Sequence, residues 1–320
     1  MTAEENETKQ VEQAALRELA AELGSHRVRF GEPLAPYTTF KIGGPADLFY
    51  RAESLKDLER AVRLARSFGV PYFVLGLGAN ILVGDRGIRG LVIKNDASKV
   101  KFHDGDSVVA ESGAIMSDLI QRCLELELSG LEHFVGIPST VGGALWQNLH
   151  FLSPDRTRTV YIEEALESAL ILSERGNVEE VGKDYFQFGY DDSILHHRRD
   201  VVLSARFRLK RGSRYAIRDV VERNLAWRRA KHPDLEQFPS AGSVFRKLEG
   251  LGAGRLIEQC GLKGMTIGRA QVSEKHANFI VNLGGATARD VVDLIHLCKA
   301  RVRERFGVEL VEEIRLVGEF

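Results

Sequence analysis

Apolar residues recur at helical spacing from Val11 to Leu23 (Val11, Ala14, Leu16, Leu19, Leu23) and stop at Gly24. That period predicts an amphipathic helix, with Gly24 positioned to act as a left-handed C-cap. Beyond it the pattern changes: ADLFYRA alternates as a half-buried strand does, LKDLERAVRLARSFG returns to helical period, and PYFVLG and GLVIKN are short apolar runs. From Tyr37 to Lys94 the order is strand, helix, strand, turn, strand, which suits one small α+β lobe. A second block, from about Lys101 to Lys210, carries a helical stretch at MSDLIQRCLELE and strands at ALESALILS and DVVLSARFRL. The arginine-rich stretch RFRLKRGSRYAIRD then leads into a helix through VVERNLAWRRAKH, the entry to a third unit that runs to Phe320.

Composition narrows the class. With 320 residues, 44% hydrophobic and 28% charged, the chain can bury a sizeable core in two or three compact units. Lysine plus arginine number 44 against 45 acids, so no overall field points to nucleic acid or an anionic membrane, and an anionic partner must be held locally. Cys123, Cys260 and Cys298 lie far apart without a CxxC pair, which argues against a disulfide framework or a thiolate metal site. The polar, acidic start MTAEENETKQ lacks a basic flank and apolar core, and no apolar run is long enough to span a bilayer. A cytoplasmic, monomeric protein with a small-molecule ligand is expected, with no nucleic acid, membrane or metal.

Candidate chemistry begins with glycine. LGLGANILVGDRG, residues 75–87, invites a dinucleotide-fold reading, but the position of a third fingerprint glycine is Ile81, and a β-like run follows instead of a helix. The glycines there shape a strand-to-strand turn, either as plain structure or as a nest of N–H groups for a phosphate. GIPSTVGGALWQN, residues 136–148, pairs Gly142-Gly143 with the hydroxyls of Ser139 and Thr140, and TTFKIGG, residues 38–44, repeats the combination. Three such turns over two lobes suit a large phosphate-bearing cofactor lying between them.

In order along the chain, TTFKIGGPADLFY, LGLGANILVGDRGIRGLVI, GIPSTVGGA, SAGSVFR and AGRLIEQCGLKGMTIGRAQVSEKHANFIVN resemble the UDP-N-acetylenolpyruvoylglucosamine reductase (MurB) family, from about Thr39 to Gly318. The resemblance implies an α+β chain: a two-lobed FAD-binding domain of the vanillyl-alcohol-oxidase (PCMH) type plus a C-terminal α+β substrate-binding domain. On that reading residues 1–24 are an appendage helix, 25–98 and 99–211 the flavin lobes, and 212–320 the substrate domain, its last strand free to return to the lobes. It also implies FAD and NADPH as cofactors, a UDP-sugar as substrate, and hydride delivery to an enolpyruvyl double bond in peptidoglycan precursor synthesis. Thr39, Gly76, Gly78, Ala79, Asn80, Gly136, Pro138, Ser139, Thr140, Gly142 and Gly143 would line the flavin.

The family's proton-donating serine falls on Ser243 and its catalytic glutamate on Glu313, while Lys231 and Tyr190 match substrate-contacting positions. Without the family, these four read as a turn serine, an outer-face charge, a helix-end lysine and a half-buried strand tyrosine. Three departures stand out. The family's FGY is followed by arginine, here Asp191, an anion where a cation should meet a carboxylate, a reversal worth ~2–5 kcal/mol when desolvated. Arg198, Arg199 or Arg246 are the candidates to supply the guanidinium. LWQNLHFLSPDR, with bulky Trp146 and His150, replaces a run of small residues, and Lys247 replaces an asparagine. These changes leave open a same-fold flavin oxidoreductase with another acceptor, or a catalytically silent nucleotide-sugar-binding protein.

Overall fold

The computed structural model describes residues 3–103, 106–248 and 252–320. In the first lobe a four-stranded sheet runs in the order Val28–Pro33, Pro45–Ala52, Ile88–Asn95, Tyr72–Leu75; its first pair is antiparallel and the other two are parallel. The helix Leu55–Ser67 makes the crossover. Its N-terminus is set by Ser54, whose hydroxyl accepts from the Asp57 N–H, and it buries the stripe Leu58, Ala61, Val62 and Ala65 against the sheet. Leu19 and Leu23 of the N-terminal helix Ala3–Leu23 join this core. That helix does not end in a left-handed cap: Gly24 has φ 93° and ψ 107°, outside the αL region, because the chain enters a 3-10 turn at once.

The second lobe is a five-stranded antiparallel sheet in the order Val178–Gly182, Leu166–Leu172, Val201–Arg208, Ser107–Glu111, Val100–Phe102. The helix Met116–Glu125 packs into its core through Met116, Leu119, Ile120 and Cys123. Phe207, fully buried on the central strand, carries much of this core. Phe207→Ala is expected to cost ~3–5 kcal/mol, read as a lower urea midpoint.

The third unit joins a three-stranded antiparallel meander (Thr266–Ile267, Ala270–Val272, Ile280–Asn282) to the helices Ala253–Gln259 and Ala288–Phe306. Its core takes in Phe40, Ile42 and Leu82 from the first lobe. Asp85 of that lobe accepts from the N–H groups of Ala288 and Arg289 at 2.7 and 3.0 Å, which caps the long helix with an anion at its positive end. The chain then returns: Arg315–Val317 pairs in parallel with Ile81–Val83, Arg315 beside Ile81. This brings the residues just before the terminal strand up to the glycine turn of the first lobe. Among the described residues no helix is long and apolar enough to cross a membrane.

Candidate active site

The three glycine-bearing segments meet at one seam. The Thr39 N–H donates to the Gly78 carbonyl at 3.2 Å, and the Thr39 hydroxyl donates to the Ser240 carbonyl at 2.8 Å. Gly78 sits at φ 61°, and a Cβ there would lie 2.8 Å from the Tyr37 carbonyl oxygen. A Cβ on Gly76 would lie 2.8 Å from Thr140 Oγ1 in the third segment. The N–H groups of Leu77, Gly78, Ala79 and Asn80 donate to no other group of the described chain, although Gly78 is buried. Buried N–H groups are nearly always paired. The donor of buried, left-handed Gly78, flanked by those of three half-buried residues, therefore fits an anionic group such as a cofactor phosphate.

The segment 136–148 is not a simple turn. Thr140 caps a short helix, Val141–Trp146, by accepting from the Gly143 N–H, so Gly142 and Gly143 lie in its first turn. Gly142 permits close packing: its N–H reaches the Ser112 carbonyl at 2.7 Å, and a Cβ would lie 3.1 Å from that oxygen. Gly136, at φ 75°, backs onto the helix Arg214–Lys231, where a Cβ would lie 2.9 Å from Leu225 Cδ2. Pro138 and Ser139 line the approach to the cap; the Ser139 hydroxyl donates to the Thr140 carbonyl.

Ser243 and Glu313 are neighbours although 70 residues separate their numbers. The Glu313 N–H donates to the Val244 carbonyl at 2.8 Å, the Arg246 N–H to the Val311 carbonyl at 2.9 Å, and the Asn80 side chain to the Glu313 carbonyl at 3.4 Å. The Ser243 loop is clamped from behind by Asn278, whose side chain accepts from the Phe245 N–H and donates to the Phe245 carbonyl. Asn278 escaped the sequence reading; its signal is an amide inside the apolar run Ala277–Val281, where a buried polar group needs partners.

The Glu313 carboxyl is pushed up to about 8, first by burial and then by Asp191, against the pull of Arg246. Burial also raises the Tyr190 phenol, with Asp191 and Glu313 adding to it. Tyr190 therefore belongs to the Glu313 cluster; it sits in a turn, not on a strand. Lys231 does not join that cluster. It is the exposed last residue of its helix.

Of the three candidate arginines, Arg198 is spent on Asp200 and Tyr185, and Arg199 lies over the Tyr72 ring. Arg246 is the guanidinium that acts on Asp191, Tyr190 and Glu313 together. The three thiols are free; burial raises those of Cys123 and Cys298 to about 12, which makes them poor nucleophiles.

Two α+β lobes with a shared glycine seam, joined to a third α+β unit that returns a strand to the first, define a flavoprotein of the two-lobed FAD-binding class. Residues 46–182 match the FAD binding domain, and residues 233–317 match the UDP-N-acetylenolpyruvoylglucosamine reductase C-terminal domain. UDP-N-acetylenolpyruvoylglucosamine reductases are 39% identical in Clostridium novyi (88% of this chain, 90% of that one) and 40% identical in Alkaliphilus oremlandii (91% and 94%). The crystal structure of the Thermus caldophilus enzyme superposes with a TM-score of 0.76 at 32% identity, covering 91% of this chain and 99% of that one. The chain belongs to the UDP-N-acetylenolpyruvoylglucosamine reductase family.

Proposed function

We propose that this chain reduces UDP-N-acetylglucosamine enolpyruvate to UDP-N-acetylmuramate with NADPH through bound FAD, acting as a cytoplasmic monomer. The observation that carries the reading is the meeting of Ser243, Glu313 and Asn80 at the glycine seam. Residues 25–98 and 99–211 form the flavin lobes and 212–320 the substrate domain. The flavin residues are Thr39, Gly76, Gly78, Ala79 and Asn80 with Gly136, Pro138, Ser139, Thr140, Gly142 and Gly143; the free donors of 77–80 fit its phosphates. Held there, FAD would supply hydride transfer from NADPH to the enolpyruvyl double bond.

The protein's own part is positioning and proton supply. Ser243 gives a proton to the carbon next to the one that receives hydride. A serine hydroxyl is a weak acid, so this step depends on a strongly basic recipient and on fixed geometry; the Asn278 clamp supplies the geometry. Arg246 meets the substrate carboxylate as a charged donor, and Glu313, in its acid form, donates a hydrogen bond to it. Tyr190 lies against the sugar nucleotide and Lys231 against its diphosphate.

The test is the visible spectrum of the purified protein and NADPH oxidation with and without UDP-N-acetylglucosamine enolpyruvate. A yellow protein whose NADPH consumption requires that substrate supports the reading. A yellow protein indifferent to it points to another acceptor, and a colourless one that binds the nucleotide sugar points to a silent binding protein.

Glu313→Gln is expected to remove a basic limb from the pH profile, because activity needing the protonated acid falls as pH rises through about 8. Stability gives a second readout. Between the ordinary value of 4.5 and about 8 the folded chain holds a proton on Glu313 that the unfolded chain has released, so native stability declines as pH rises across that window. Glu313→Gln should flatten this decline, measured as melting temperature against pH.

A further inference from the structure

Taking the reductase reading as given, we propose that Asp191 is a positioning residue that works as one unit with His150 and Gln147 and keeps Glu313 in its acid form, so that a neutral carboxyl and Arg246 together meet the substrate carboxylate. Asp191 occupies the apex of a tight turn in which the Gly189 N–H donates to the Asp192 carbonyl at 3.0 Å. Its backbone is left-handed, at φ 52°, a conformation that non-glycine residues adopt at a cost and keep where surrounding structure enforces it.

The enforcing structure is visible. The side chain of Asn148 donates to the Gly189 carbonyl at 3.0 Å, and the Trp146 carbonyl accepts from the Ser193 hydroxyl at 2.8 Å and lies 3.0 Å from His196 Nε2. The His196 ring stacks on Trp146 with centroids 4.6 Å apart, and the Arg315 guanidinium lies 5.2 Å from the Trp146 ring centroid. Among the described residues, the hydrogen bonds to this turn from outside come from Trp146 and Asn148, in the segment that departs from the family pattern together with Asp191. The two departures are one structural unit.

The carboxylate itself is 2% exposed, and its Oδ2 has no partner in the protein. Oδ1 lies 3.7 Å from His150 Nδ1, which is also 3.3 Å from the Asn148 carbonyl, and His150, Gln147 and Arg246 each favour the carboxylate form. The charged and titratable groups that face Asp191 are His150, His196 and Arg246, with Glu313, Tyr161 and Tyr190 on the acidic side. Glu313 is faced by Asp191, Arg246 and Tyr190. A buried carboxyl and a half-buried one that repel each other cannot both stay ionised cheaply. Asp191 has an imidazole, an amide and a guanidinium turned to it; Glu313 has only the guanidinium. Burial raises the Asp191 carboxyl too, but His150, Gln147 and Arg246 oppose that rise, whereas for Glu313 Arg246 alone opposes it and Asp191 adds to it; the anion therefore stays on Asp191 and the proton on Glu313.

Asp191→Asn keeps the shape and removes the charge. The expected result is a basic limb of kcat/KM moved to lower pH by about one unit or more, with flavin content and the rate of flavin reduction by NADPH unchanged. Asp191→Glu should restore the limb. An unmoved limb in a yellow, folded Asp191→Asn protein overturns the proposal. A wild-type protein that binds flavin but never reduces the enolpyruvyl substrate overturns the reductase reading instead. A measurement on the unaltered protein keeps the idea testable if the variant does not fold: an infrared carboxylic-acid band, absent in Glu313→Gln, should persist at neutral pH. Its absence there would reject the proposal whatever the acceptor.

Discussion

Ser243→Ala should lower kcat for reduction of the enolpyruvyl substrate by a factor on the order of 10²–10⁴, the usual contribution of a positioned general acid. The loss should fall on one half-reaction. The loop that holds Ser243 is fixed by backbone bonds to Asn278 and Glu313 that do not involve the hydroxyl, so flavin content, melting temperature and flavin reduction by NADPH should stay at wild-type values. Stopped-flow absorbance separates the steps: fast bleaching with NADPH, then slow reoxidation on adding substrate. Equal slowing of both would mean that Ser243 shapes the pocket and is not the acid.

Gly78→Val should give a colourless and less stable protein. The position is left-handed and buried, its Cβ would sit 2.8 Å from the Tyr37 carbonyl oxygen and 3.0 Å from Thr38 Cα, and valine adds two methyl groups to that clash. Left-handed backbone plus overpacking amounts to about 3 kcal/mol. The same shift would move the free N–H groups of 77–80, so the loss of bound flavin should exceed what the loss of stability alone would cause. The checks are the ratio of flavin to protein absorbance and the melting temperature with added FAD. Full flavin occupancy in a folded Gly78→Val protein would remove this turn from the cofactor site.

The elements of both lobes were legible because their signals are local. Alternation in ADLFYRA and helical period in LKDLERAVRLARS lie within one strand or helix each, and the strand Pro45–Ala52 and helix Leu55–Ser67 follow them closely. Glycine pairs beside hydroxyls marked the seam, but their local form was less clear. Gly142 and Gly143 open a helix because Thr140 caps it, a contest between turn and helix that the glycines alone do not decide. The N-terminal helix begins at Ala3, ahead of the apolar spacing that announces it, since helices extend through polar residues once nucleated.

What the sequence determined by itself is the principal helices and strands of the two lobes, the three glycine segments, the serine and glutamate of the family pattern, and the places where that pattern is broken. The tertiary structure decided which of these meet. Asn80 reaches Glu313 across 233 positions and Thr39 reaches Ser240 across 201, contacts with no local periodicity to announce them. It also put Arg198 against Asp200 and Arg199 over Tyr72, and left Arg246 acting on Asp191 and Glu313. And it set Asp191 in a buried turn held by Trp146 and Asn148, 3.7 Å from His150. The reason is physical: propensity and period act over a few residues, whereas burial, charge and proton affinity are set by whatever the folded chain brings within a few ångströms.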